Sequence, residues 1–124
     1  MEKILCVDDD QSILQLYEEE FSEDGYEVVL TANAKEALRK YQTECPQLVI
    51  LDIRMPGMDG IELLTEILGK DRQALIVINT AFPQYRENFL TWGAEEYIIK
   101  SSDLGELKQK VREVLNKRQA AKSH

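Results

Sequence analysis

Chemistry in this chain rests on a few side chains placed where apolar runs end: Asp8, Asp9, Asp10, Asp52, Thr80 and Lys100. The stretch "ILCVDDD" runs straight from apolar residues into three adjacent carboxylates. At ~4 Å and an effective dielectric of ~20, each like-charged pair costs on the order of 4 kcal/mol. Asp52 closes "LVILD", Thr80 closes "LIVINT" and Lys100 closes "YIIK". Asp8, Asp9 and Asp52 against Lys100 leave a charge of roughly −2, which one divalent cation cancels. Oxygen ligands without Cys or His favour Mg2+ or Mn2+ over zinc. A carboxylate is a competent nucleophile toward phosphorus, giving an aspartyl phosphate. A hydroxyl, a lysine and a metal are the groups that stabilise the equatorial oxygens of a transferring phosphoryl group. The only histidine is His124, so Ser–His–Asp, Cys–His and histidine-ligated metal chemistry are excluded.

The elements that must position these groups alternate regularly. Short apolar runs "KILCV", "YEVVLT", "LVIL", "ALIVIN" and "EYII" read as strands covered on both faces, because they are nearly all-apolar rather than alternating. Between them lie helical stretches. Residues 11–24 carry Ile13, Leu16, Tyr17 and Phe21 on one face, with Gly25 as the left-handed stop. Asn33 with Glu36 and Asp59 with Glu62 have capping-box spacing. Pro83 suits the first turn of a fourth helix, and Asp103 with Glu106 caps a fifth. Five such units predict a doubly wound α/β domain, a five-stranded parallel sheet with helices on both sides. Ligands of such sheets bind beyond the carboxyl ends of the strands, where the polar residues above fall.

Composition sets bounds. The 124 residues suit one domain over 1–124, with a core of about 3–118 and a tail at 119–124. A net charge of −8 argues against nucleic-acid backbone binding as the main task. The basic residues Lys108, Lys110, Arg112, Lys117, Arg118 and Lys122 read as one helix face alternating with acids. Cys6 and Cys45 lack metal-ligand spacing, the longest apolar run ("ALIVI") is too short to span a membrane, and no secretory signal opens the chain. These features predict a reduced, cytoplasmic setting.

"ILCVDDDQSIL", "LVILDIRMPGMDGIELL", "IVINTA" and "GAEEYIIKS" together resemble the receiver domain of two-component response regulators, from about Lys3 to Arg118. The resemblance implies a flavodoxin-like α/β/α sandwich with strand order 2-1-3-4-5. It implies that Asp52 accepts a phosphoryl group from a phosphohistidine on a sensor histidine kinase or phosphotransfer protein. It implies Mg2+ (or Mn2+) held by Asp9, Asp52 and the backbone carbonyl of Arg54, with Asp8 acting mainly through water. Thr80 and Lys100 would each bind a phosphoryl oxygen. Tyr97 would turn inward as Thr80 moves, changing the surface of helix 4, strand 5 and helix 5 that meets an effector protein or output domain. Neither nucleic acid nor membrane is an implied partner of the domain itself.

Two positions depart from the family pattern. Ser101 stands where proline, usually after a cis peptide, follows the lysine; a cis bond before a non-proline costs ~3 kcal/mol, so this bond is expected trans, or strained if cis. Arg54 and Phe82 stand where the family varies acyl-phosphate lifetime, and their bulk is expected to slow autodephosphorylation. Other residues read more plainly. Asp10, Asp59 and Asp103 are helix caps. Tyr85, Phe89 and Trp92 form a core stripe, leaving Arg86 and Leu90 for partner contact, and Glu18, Glu19 and Glu20 are a solvated face. Two rival functions are a haloacid-dehalogenase-like phosphatase with Asp8 as nucleophile, and a phosphate-independent binding module. No output domain follows helix 5, which fits a stand-alone receiver or one cut from a longer regulator.

Overall fold

Five apolar strands too short to be helices, each followed by an amphipathic stretch, pair side by side in a parallel sheet. A computed structural model describes residues 1–53 and 60–122. The elements are β1 (Lys3–Val7), α1 (Gln11–Glu23), β2 (Glu27–Thr31), α2 (Ala34–Glu44), β3 (Leu48–Leu51), α3 (Gly60–Lys70), β4 (Ile76–Thr80), a 3-10 turn (Pro83–Tyr85), α4 (Arg86–Thr91), β5 (Glu96–Ile99) and α5 (Gly105–Lys122). The sheet order is β2-β1-β3-β4-β5, all parallel, as the sequence and the resemblance predict.

Strand residues divide strictly by parity between two cores. Leu5, Val7, Val49, Leu51, Ile76 and Ile78 face a cluster completed by Leu63, Leu64 and Ile67 of α3 and Phe89 of α4. Ile4, Cys6, Leu48, Ile50 and Val77 face the other, joined by Leu75 just before β4 and completed by Leu14, Tyr17 and Phe21 of α1 and Leu107 and Val111 of α5. The sheet is therefore dry on both faces, which is why its strands lack apolar–polar alternation. The chain steps outward from β1 to β2, then crosses back to β3. That reversal opens a crevice between β1 and β3 at their carboxyl ends.

The caps follow the sequence closely. Asp10 Oδ1 accepts from Ser12 N at 2.9 Å, and Asn33 Oδ1 accepts from Glu36 N at 2.8 Å. Gly25 takes φ +91 just past α1, with Tyr26 N donating to the Phe21 carbonyl, so the left-handed stop is present. Asp103 Oδ1 accepts from Gly105 N at 2.8 Å at the start of α5. Asp59 lies outside the described residues.

Three expectations are corrected. The buried face of α1 centres on Leu14, Tyr17 and Phe21, whereas Ile13 and Leu16 are half-buried at its margins. In the aromatic stripe only Phe89 is core; Tyr85 and Trp92 are 41% and 43% exposed. The helical spacing fails there because Pro83–Tyr85 is a 3-10 turn, which rotates Tyr85 off the line of Phe89. Trp92 caps the six-residue α4 and meets Phe89 in a T-shaped contact, with ring centroids 5.6 Å apart. Leu90, assigned to partner contact, packs partly against the α3/α4 core cluster, while Arg86 is exposed.

Candidate functional site

Parity decides which polar groups share a face at the rim. Carrying the register one residue beyond Val7↔Leu51 and Leu51↔Ile78 sets Asp8, Asp52 and Asn79 in one row across β1, β3 and β4. The row lies on the α1/α5 face, above Cys6, Ile50 and Val77. Asp9 follows Asp8 and is exposed, whereas Asp8 and Asp52 are buried. One carboxylate oxygen from each of Asp8, Asp9 and Asp52 lies within 4.8 Å of the other two.

Lys100, just beyond β5, brings a cation to the cluster. Its Nζ stands 2.8 Å from Asp8 Oδ2 and 2.9 Å from Asp52 Oδ2. The peptide between Lys100 and Ser101 is trans, so the missing proline does not keep the lysine from the acids. Ser101 instead uses its hydroxyl to accept from Asp103 N at 3.2 Å. Lys100 N also donates to the Thr80 carbonyl at 2.7 Å, tying the two strand ends together.

The charge balance is uneven. Burial pushes the Asp8 carboxyl above its ordinary range; the lysine and the Asp10 N–H, 2.9 Å from Asp8 Oδ1, pull it back without cancelling the rise, and Asp52 adds to it. Burial works to lower Lys100, but its bonds to Asp8 and Asp52 outweigh burial and raise it. The rise at Asp8 thus comes first from burial and the rise at Lys100 from its two carboxylate partners, so one lysine is shared between two acids. Asp8 Oδ2 is buried and, among the described residues, accepts no hydrogen bond; the 2.8 Å approach of Lys100 is an ion pair without hydrogen-bond alignment. A buried carboxylate oxygen whose ion-pair lysine is shared with Asp52, beside two further carboxylates, fits a hard divalent cation such as Mg2+. The carbonyl of Arg54, a further ligand in the sequence reading, lies outside the described residues.

Thr80 and Tyr97 lie on the other face of the sheet. Thr80 is fully buried, its Oγ1 accepting from Phe82 N at 3.4 Å. Tyr97 is already inward, 4% exposed, and its hydroxyl donates to the Phe82 carbonyl. Phe82 is half-buried against the same core. Sequence reasoning missed one pairing. Asn79 Nδ2 donates to the Tyr17 hydroxyl at 2.5 Å in the buried interior. The signal was an amide inside the apolar run "LIVINT"; its partner, 62 residues away, could not be read from spacing.

The profile of the response regulator receiver domain matches residues 4–112. The chain is 37% identical over 118 residues to the probable transcriptional regulator ycf27 of Pyropia yezoensis, covering 94% of this chain and 48% of that protein. It is 36% identical to sporulation initiation phosphotransferase F of Bacillus subtilis (strain 168), covering 92% of this chain and 94% of that one. Among solved structures it resembles response regulator TrrA of Thermotoga maritima in complex with Mg(2+)-BeF, at 44% identity and a TM-score of 0.86, covering 91% and 98% of the two chains. TrrA is also solved in complex with histidine kinase ThkA. The chain thus spans about half the length of the ycf27 regulators and nearly all of the phosphotransferase.

Proposed function

The chain belongs to the response regulator receiver domain family, and on that premise we propose that it takes a phosphoryl group from a phosphohistidine onto Asp52. An Asp52 carboxylate oxygen attacks phosphorus; the P–O bond forms as the P–N bond to the donor imidazole breaks, and the imidazole leaves by taking up a proton. The observation that carries this reading is Lys100 Nζ, 2.8 Å from Asp8 and 2.9 Å from Asp52, in a cluster that is still acidic with the lysine included.

Asp9, Asp52 and the Arg54 carbonyl would hold Mg2+ (or Mn2+), with Asp8 acting mainly through water. The ion would supply charge neutralisation at the phosphoryl oxygens. Lys100 would exchange one carboxylate contact for a phosphoryl oxygen, and the Thr80 hydroxyl would bind another. Drawing Thr80 toward the phosphoryl group favours the packing in which Tyr97 stays inward, so phosphorylation biases the surface made by α4, β5 and α5. Phe82, beside Tyr97, and Arg54 would shield the acyl phosphate from water. In this reading the chain is a signalling domain that takes part only in its own phosphoryl transfer and loss. Its donor is a sensor histidine kinase or phosphotransfer protein, in keeping with the TrrA–ThkA complex. Its target is an effector protein or an output domain. No described helix is long and apolar enough to cross a membrane, and the cytoplasm is the compartment this function needs.

Incubation with acetyl phosphate and Mg2+, followed by mass spectrometry, tests the assignment. The phosphoryl group is expected on Asp52, lost in Asp52→Asn and in excess chelator. Label on Asp8 would instead restore the phosphatase reading of that residue, and no label would leave a binding module.

A further inference from the structure

Asp9 is the exposed member of the acid cluster, and among the described residues its carboxylate has no hydrogen bond or ion pair to hold it. Its aim into the cluster is therefore set by the backbone on either side. On one side the chain is fixed: Asp8 is 1% exposed, and its N–H donates to the Thr31 carbonyl at 3.2 Å. On the other side the next buried residue is Leu14; Asp10, Gln11 and Ser12 are exposed and Ile13 is half-buried. Packing does not hold this span, so hydrogen bonds must. Those that fix where α1 begins all meet at Asp10. Its N–H donates to Asp8 Oδ1 at 2.9 Å, its carbonyl accepts from Ile13 N and Leu14 N at 3.1 Å, and its Oδ1 accepts from Ser12 N at 2.9 Å. Only the last of these depends on the side chain. The first turn of α1 has no acidic residue to close a capping box, so among the described residues the Asp10 carboxylate caps the helix alone.

We propose that Asp10 is a positioning residue for the cation site: by capping α1 it fixes the backbone of residues 8–10, so that the Asp9 carboxylate points into the cluster with Asp8 and Asp52. The proposal rests on the reading of Asp9 as a metal ligand given above. Carboxylates bind a hard cation well only when their oxygens are held converging on it. Without the cap, the first turn of α1 opens in part of the molecules and Asp9 loses its aim. The apparent affinity then falls with the fraction still in the competent arrangement. Asp10 acts through the backbone it holds, not through its own charge.

The test compares substitutions that remove the same charge and differ only in capping. Mg2+ dissociation constants are measured by isothermal titration calorimetry on the whole chain for wild type, Asp10→Asn, Asp10→Ala and Asp9→Ala, with the fold of each checked by circular dichroism. Asp10→Asn and Asp10→Ala are both uncharged at this position, so a difference between them cannot come from the field of the lost carboxylate. Asparagine caps a helix about as well as aspartate, whereas alanine does not. Asp10→Ala is therefore expected to bind Mg2+ about fivefold more weakly than Asp10→Asn, the scale of one lost cap. If Asp10→Ala does not fold, Asp10→Val, likewise a poor cap, takes its place. A cap that serves stability alone would lower the urea midpoint of Asp10→Ala and leave its Mg2+ affinity equal to that of Asp10→Asn, which would overturn the proposal. Tighter binding in Asp10→Ala than in Asp10→Asn would overturn it as well. Asp9→Ala is expected to lose most of its Mg2+ affinity. If it binds as wild type does, the underlying reading of Asp9 falls and the proposal falls with it; weakened Asp9→Ala beside equal Asp10→Asn and Asp10→Ala overturns the proposal alone.

Discussion

Lys100 is the residue whose removal separates charge balance from chemistry. Its ammonium stands between two carboxylates, one of them, Asp8, only 1% exposed. Taking one partner from a buried ion pair costs about 3–5 kcal/mol. Lys100 is itself about a fifth exposed, which screens part of that, so Lys100→Met is expected to lose about 1–3 kcal/mol without metal. Saturating Mg2+ should recover most of the loss and bind the variant more tightly than wild type, because the competing cation is gone. Urea unfolding with and without Mg2+ measures both effects. An equal loss in the two conditions would mean that the lysine does not share its site with a cation. The positions of these groups were legible because each ends an apolar run, where a charge has no business in the core. Asn79 was not legible: a single amide inside such a run has no period to betray it, and its meaning depends on the phenol that meets it.

At the scale of the element, α3 shows how closely the site is bound to packing. Gly60 opens α3 and donates to the Ile53 carbonyl at 2.9 Å. A Cβ at that position would lie 2.5 Å from Ile53 Cα, a backbone atom that cannot swing aside. Gly60→Ala is therefore expected to cost about 2–3 kcal/mol, an overpacking penalty, although alanine is the better helix former. Ile53 directly follows Asp52, so the relief movement passes to the acid row, and Mg2+ affinity should fall along with the urea midpoint. A variant as stable as wild type would show that α3 can slide away from β3. Elements of this kind are well marked in the sequence. β1, β3 and β5 match their apolar runs residue for residue, because burial on both faces forces near-continuous hydrophobicity. β4 is shifted to Ile76–Thr80 since Ala74 and Leu75 are buried without entering the strand. The stretch at α4 misled because apolar spacing assumes a helical period, and a 3-10 turn beside a short helix does not keep one.

For the whole molecule, two dry cores back to back fix how stability depends on pH at the alkaline end. Cys6 is buried in one core, and burial raises its thiol above the ordinary 9.0. Burial likewise raises the phenols of Tyr17, Tyr26, Tyr41 and Tyr97 above 10.0. Each of these groups keeps its proton in the folded protein at a pH where the unfolded chain has released it. The unfolded state then binds fewer protons, so stability falls as pH rises, by up to about 1.4 kcal/mol per pH unit for each group in its window. Below the unfolded values the groups are protonated in both states and contribute no slope. Lys100, also raised from 10.5, adds to the decline above that pH, since its favourable pairing with Asp8 and Asp52 is lost as it titrates. The decline should therefore begin near pH 9 with Cys6 and steepen past pH 10 as the tyrosines join. Urea midpoints measured from about pH 7 to pH 11 trace this curve. In Cys6→Ala the level will drop from lost packing at every pH, but the onset of the decline should move from about 9 to about 10. A wild-type curve already flat through pH 10, or an onset that Cys6→Ala leaves in place, would mean that the thiol meets water in the folded state and that the core around β1 is not closed.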